Sequence, residues 1–181
     1  MKIYNITKVA SQSEIKPELK TVFVKHTDLG ITYVATDSFR LIEVKIEDES
    51  IKSIIPEGFY DLKEWATFAK ETQKKNPDAD FMLSISPMQN KKDWYYPKYK
   101  QIFPKEVEKQ KTSITLFNIH LVSESFKIIE KITGQNWFNL TKQLQQVKPA
   151  NENKENKMMY LNTWSDDGKS EITFLLIPLS K

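Results

Sequence analysis

Apolar and polar positions alternate with a period of two along much of the chain, the pattern of half-buried strands. Lys2–Val9 alternates and predicts a strand, and Lys20–His26 predicts another, ended by the turn Thr27-Asp28-Leu29-Gly30. Ile31–Thr36 and Phe39–Ile46 flank the tight Asp37-Ser38 connection, which predicts a hairpin. Acidic Glu47-Asp48-Glu49 closes this block as a loop. Further strands are predicted over Phe81–Ser86, Ser113–Phe117 and Trp137–Leu144. Met158–Trp164 and Ser170–Leu179 predict a second hairpin around Asp166-Asp167-Gly168-Lys169.

The period changes to 3.6 in two places. Leu62, Trp65, Phe68 and Ala69 form one stripe, which predicts a helix over Leu62–Gln73 with Asp61 as its cap and Glu64 in the reciprocal capping position. Asn118 is placed to cap a second helix, with Val122, Phe126, Ile129 and Ile132 on one face and Gly134 just past its end. Strand, helix, strand therefore recurs at Gly58–Ser86 and at Ser113–Leu144. The predicted class is α+β, with antiparallel sheets and two main helices.

Between the two blocks, residues 87–111 read as a linker interrupted by Pro87, Pro97 and Pro104. The run Trp94-Tyr95-Tyr96-Pro97-Lys98-Tyr99-Lys100 holds more aromatic side chains than a disordered linker carries, so the linker is expected to be extended and packed down. Residues 148–157 are polar throughout and read as a loop.

Composition narrows the chemistry. The 181 residues, 39% hydrophobic, can hold one large domain or two small ones. There is no apolar run of 18 residues and no secretory apolar segment at the N-terminus, so a cytoplasmic protein without a membrane span is expected. With no cysteine there is no disulfide framework, thiolate metal site or cysteine nucleophile. His26 and His120 are too few for a histidine metal site, and the four isolated glycines form no phosphate loop. Asp37 has no histidine or second acid beside it, and its place at a two-residue turn suits a backbone hydrogen bond. The expectation is a binding protein rather than an enzyme, with neither cofactor nor metal.

The net charge is +3, but its distribution is uneven: residues 91–111 alone carry a net +4. Lys91, Lys92, Trp94, Tyr99 and Lys100 could therefore stack and neutralise a single-stranded nucleic acid. Plain packing of the linker over a sheet is the other reading of the same aromatics. The chain's single arginine, Arg40, lies in Ala35-Thr36-Asp37-Ser38-Phe39-Arg40-Leu41. Every other basic residue is lysine, so Arg40 marks a position where a planar fork of donors matters. A local ion pair with Asp37 or Glu43 is the alternative to a binding role.

Five separated segments resemble bacterial sliding clamps, the β subunit of DNA polymerase III. Ala35–Leu41 resembles the family's Ala-Thr-Asp-Gly-His-Arg-Leu signature, and Pro17–Val24 the strand before it. Tyr96-Pro97-Lys98-Tyr99-Lys100-Gln101-Ile102-Phe103-Pro104 is similar to the Phe-Pro-Asp-Tyr-Arg-Arg-Val-Leu-Pro segment between the middle and last domains. Phe117-Asn118 and the tail Phe174–Leu179 resemble the last domain's helix start and terminus. The segments follow the family's order over nearly the whole chain.

The resemblance implies a shortened DNA-clamp (processivity-factor) fold. Residues 1–104, including linker 87–104, match the middle domain, and residues 105–181 match the end of the last domain. It implies a non-enzymatic replication factor that holds partners on DNA without reading sequence, and copies that assemble into a ring. It also implies a pocket for short partner peptides, such as the clamp-binding motif of a polymerase. By matched position that pocket comprises Leu19, Thr36, Ser38, Phe39, Arg40 and Leu41 from the hairpin region. Pro97, Gln101 and Ile102 come from the linker, and Leu175, Ile177, Pro178 and Leu179 from the tail. Phe39 replaces the family's His, Ser38 its Gly, Gln101 an Arg, and Ser180-Lys181 an Arg-Leu pair, so this pocket is less basic. The resemblance implies that the family's N-terminal domain has no counterpart here, so a clamp-derived interaction module or decoy that forms no ring is an alternative, beside the single-strand binder that the linker aromatics suggest.

Overall fold

The computed structural model describes residues 2–74, 84–89, 94–103, 117–136, 139–140, 143–147 and 158–177. Its frame is one antiparallel sheet of seven strands: β1 (Thr21–His26), β2 (Ile31–Thr36), β3 (Arg40–Ile46), β4 (Gly58–Asp61), β5 (Gln145–Val147), β6 (Met158–Trp164) and β7 (Ser170–Leu176). They lie side by side in the order β4-β1-β2-β3-β7-β6-β5. Two long helices accompany them, α1 (Leu62–Lys74) and α2 (Ile119–Thr133). The class is α+β, as the periodicities require, and the strands join in a single sheet. Pairing of β3 with β7, from Arg40 opposite Leu176 to Ile46 opposite Ser170, carries that sheet from segment 1–104 into segment 105–181.

Alternation assigns each strand residue to one of two faces. Val22 and Val24, Tyr33 and Ala35, Ile42 and Val44, Ile172 and Phe174 form the larger core with Trp65, Phe68 and Ala69 of α1 and Val122, Phe126, Ile129 and Ile132 of α2. Both helices therefore bury their apolar stripes on the same side. The opposite face gathers Val34, Leu41, Phe59, Met158 and Leu175 under Leu19 and Tyr96, with Phe23, Trp94, Tyr99, Phe103 and Tyr160 packed around them. Linker residues 94–103, here called the strap, supply the aromatic cover of this second face. The molecule is thus helices, sheet and strap in three layers.

The caps follow the sequence. Asp61 accepts from the backbone N–H groups of Lys63 at 2.8 Å and Glu64 at 3.2 Å. Asn118 accepts from His120 and Leu121 at the start of α2, and Gly134 at its end has φ 65°, the left-handed conformation glycine permits. Gly30 is fixed by space: a Cβ there would lie 2.1 Å from the Ile46 carbonyl oxygen.

Three expected strands differ. Lys2–Val9 is not a strand; it ends in a 3-10 turn at Thr7–Val9. Its apolar residues Ile3, Tyr4, Ile6 and Val9 are all buried, but adjacent Ile3 and Tyr4 break the period of two. Its backbone groups, however, pair with side chains: Ile3 N–H donates to Thr72, Tyr4 N–H to the Tyr33 hydroxyl, and Trp65 Nε1 to the Tyr4 carbonyl. Within 137–144, the described residues 139, 140 and 143 are helical, and the amide of Asn139 donates to the Asn136 side chain at 3.0 Å. Leu140 and Leu144 lie four apart, a helical spacing as well as an alternating one. Of Phe81–Ser86, residues 84–86 carry no strand, though Ile85 is buried. The strand expected at Ser113–Phe117 and the loop 148–157 lie, except for Phe117, outside the described residues.

Candidate peptide-docking site

The β2–β3 hairpin tip is built by Asp37. One oxygen of its carboxylate accepts the backbone N–H groups of Phe39 and Arg40, each at 3.0 Å, in the Asx geometry that short acidic side chains provide. Thr36 Oγ1 donates to the Arg40 carbonyl at 2.6 Å and accepts from the Ser38 amide at 3.1 Å. Ser38 has φ 76°, the one positive φ among the described non-glycine residues. The resemblance placed a glycine there, and the backbone shows why: the left-handed region costs a side chain strain.

The tight tip leaves the Phe39 ring 60% exposed, while the Phe39 carbonyl accepts the amide of Ile177 at 2.8 Å. That bond extends the β3–β7 ladder one step, so the hairpin tip and the tail emerge together. Ile177 is itself 38% exposed. On the strap face of the strands just behind them, Leu41 and Leu175 sit opposite each other and are buried. Leu19 joins them from the 3-10 turn Pro17–Lys20. Pro97 and Gln101 are exposed on the strap, and Ile102 lies in its 3-10 turn, Tyr99–Ile102. Pro178 and Leu179 lie outside the described residues. An exposed apolar pair, backed by a buried apolar floor and edged by the strap, is a shape that can seat apolar side chains of an extended peptide.

Arg40 faces the other way. Its neighbours Leu41 and Ile42 settle the parity, and its side chain crosses to the helix side. Nε donates to Asp37 at 3.0 Å, NH1 reaches the Leu121 carbonyl at 3.3 Å and Ser125 at 3.4 Å, and NH2 reaches the Lys8 carbonyl at 3.0 Å. NH2 also lies 3.0 Å from a Glu124 carboxylate oxygen. At 5% exposure the guanidinium has its donors engaged inside the chain. It ties the hairpin tip to the start of α2 and to the N-terminal turn, and so positions Phe39 from beneath. Of the two ion pairs weighed for it, the structure contains the one with Asp37; Glu43 pairs elsewhere.

The aromatic strap lies flat on the sheet. Tyr96 stacks on Phe23 with centroids 4.9 Å apart, Trp94 meets Phe59 at 5.5 Å, and Tyr99 meets both Tyr96 and Phe103 edge-on. Tyr95 is the strap ring that faces outward, at 62% exposure. Of the residues considered for nucleic-acid stacking, Trp94 and Tyr99 are thus packed against the sheet, and Lys91 and Lys92 lie outside the described residues. Lys100 Nζ pairs with Glu43 at 2.5 Å and lies 4.8 Å from the Phe103 ring centroid. Burial, and next the Glu43 charge, push the Tyr99 phenol well above its ordinary range. Glu43 was missed as a site residue. It reads as the solvent position of an alternating strand, yet on β3 it shares the strap face with Leu41 and is buried.

Behind the sheet, α1 and α2 border a cleft of about 420 Å³ lined by Tyr4, Lys70, Ile128 and Lys131 among others. Among the described residues no cluster of three or more His, Asp or Glu side chains could hold a metal ion, and no helix is long and apolar enough to cross a membrane.

No family model matches the chain, and no curated protein matches it. Among solved structures it is similar to a DnaN sliding clamp (DNA polymerase III subunit beta) from Bartonella birtlesii, bound to griselimycin in that structure. The identity is 14% and the TM-score 0.43, with 98% of this chain and 48% of the clamp covered. The chain thus spans about half the length of that clamp.

Proposed function

We propose that this protein is a sliding-clamp-like binding protein that docks replication partners, a polymerase foremost, through a short linear peptide. The peptide would lie at the hairpin tip and tail, with its apolar side chains on Phe39 and Ile177 over Leu41 and Leu175. The observation that carries the reading is the Phe39–Ile177 pair: two exposed apolar residues, far apart in sequence, joined by a backbone hydrogen bond above a buried apolar floor. Four of the segments that resemble sliding clamps contribute to this face, through Leu19, Leu41, Tyr96 and Leu175, and that likeness points to a replication partner. Arg40 serves as a positioning residue and not as a contact to the peptide. Sequence-independent association with DNA belongs to the same proposal, and the helix face with exposed Lys70 and Lys131 is its natural side.

The test is a fluorescence-polarisation titration with a labelled peptide of the Gln-Leu-x-Leu-Phe type. Saturable binding near micromolar, about −8 kcal/mol, is expected. Ile177→Asp should abolish it while leaving the fold intact. Absence of binding to the folded wild-type protein would contradict the proposal.

A further inference from the structure

The strap, like the helix layer, closes over its face of the sheet chiefly through side chains. The described backbone hydrogen bonds of residues 95–103 run within the strap itself: Tyr99 to Pro97, Gln101 to Lys98 and Phe103 to Lys100. Its grip on the sheet comes from ring packing on Phe23 and Phe59 and from the Lys100–Glu43 ion pair. That pair is lopsided, with the Lys100 side chain 60% exposed and the Glu43 side chain 7% exposed. Water can therefore reach the latch from the lysine side.

Closure also leaves two oxygens without partners. The second carboxylate oxygen of Glu43 and the hydroxyl of Tyr96 are buried with no hydrogen bond. Buried polar atoms of this kind oppose the state that buries them, because lifting the cover would return them to water. The other such side-chain atoms among the described residues are Thr27 Oγ1 and Gln145 Oε1, and neither residue belongs to the core on the helix side.

We propose that residues 94–103 are an internal occupant of the sheet face. In this view the strap lifts as a unit while the sheet and helices stay folded, and the Lys100–Glu43 pair is its latch. The strap shows what the face accepts: aromatic rings at positions 96, 99 and 103 with a basic side chain at 100. With the strap lifted, the Glu43 carboxylate stands alone on an apolar surface of Val34, Leu41 and Leu175. The fitting partner is a peptide carrying aromatic or large aliphatic side chains and one lysine or arginine to meet Glu43. The use of the gate rests on the docking reading above, since Leu41 and Leu175 belong to both surfaces; its existence does not.

The absence of cysteine makes the test direct. Val34→Cys places one thiol under the strap, and Thr133→Cys places one on the helix side as a control; both sites are buried. Thiol labelling is followed in low urea, beside thermal melts that confirm both variants fold. The proposal expects Val34→Cys to label much faster than global unfolding, at a rate insensitive to low urea. Adding Lys100→Ala should speed it about tenfold, the scale of one charge-assisted hydrogen bond. Thr133→Cys should label only with global unfolding, and Lys100→Arg should leave the Val34→Cys rate near its starting value. Equal urea dependence at both thiols, or no effect of Lys100→Ala at Val34→Cys, would overturn the gate. The docking reading fails separately, if the Gln-Leu-x-Leu-Phe peptide binds neither the wild-type protein nor the Lys100→Ala variant.

Discussion

Arg40 and Glu124 meet at 3.0 Å where the hairpin tip abuts the first turns of α2, and Asp37 holds the other side of the same guanidinium. One arginine thereby joins three parts of the chain that secondary structure alone would leave independent. Removing it strands a mostly buried Asp37 carboxylate and frees the Lys8 and Leu121 carbonyls. Arg40→Ala is expected to cost about 3 kcal/mol in urea unfolding. Arg40→Lys should cost about 1–2 kcal/mol, because an ammonium cannot reach all of these acceptors at once. Equal stability of Arg40→Lys and wild type would show that the fork geometry is not needed.

Ser38 occupies a left-handed backbone conformation at φ 76°. Ser38→Gly should relieve that strain and raise stability by about 0.5–1 kcal/mol, without moving Phe39. A calorimetric melt reads the change directly. Destabilisation would mean that the serine side chain contributes more than its backbone costs.

The Asn118 side chain satisfies two amides at the start of α2, at 3.0 Å and 3.5 Å. Asn118→Ala should cost about 1 kcal/mol, and Asn118→Asp should restore most of it, since a carboxylate also suits the positive end of a helix.

Asp167 gives the acid side of the stability profile. Burial alone would raise its carboxyl, but donation from the Ser165 hydroxyl and the Lys169 amide outweighs that and holds it below its ordinary value. A group depressed in the folded state stabilises above its unfolded value near 4 and loses that contribution as pH falls through the folded one. Asp167→Asn should therefore be less stable than wild type at pH 7, with the gap closing below about pH 4. A constant gap from pH 7 to pH 2.5 would assign the loss to packing.

The strong periods in the sequence carried most of this architecture. Trp65 and Phe68, or Phe126 and Ile129, bury where their spacing says they must, and Asp61 and Asn118 cap because their side chains reach the next amides. What failed was pairing. Lys2–Val9 reads as a strand, but the amides of Ile3 and Tyr4 are met by Thr72 and Tyr33, which local sequence cannot anticipate. Arg40 was legible as unusual, and its partner Asp37 was within reach of a sequence argument. Glu124 and Lys8 required the fold. Glu43 was hidden for a related reason: a charged residue in an alternating strand reads as solvent-facing until a second layer, the strap, is known to lie over it.

The docking claim is tested most directly by a nuclear magnetic resonance titration of the isotopically labelled protein with the Gln-Leu-x-Leu-Phe peptide. The account predicts shift changes centred on Phe39, Leu41, Leu175 and Ile177, with smaller ones along the strap. Changes confined to the α1–α2 side, or none at saturating peptide with a folded protein, would contradict it.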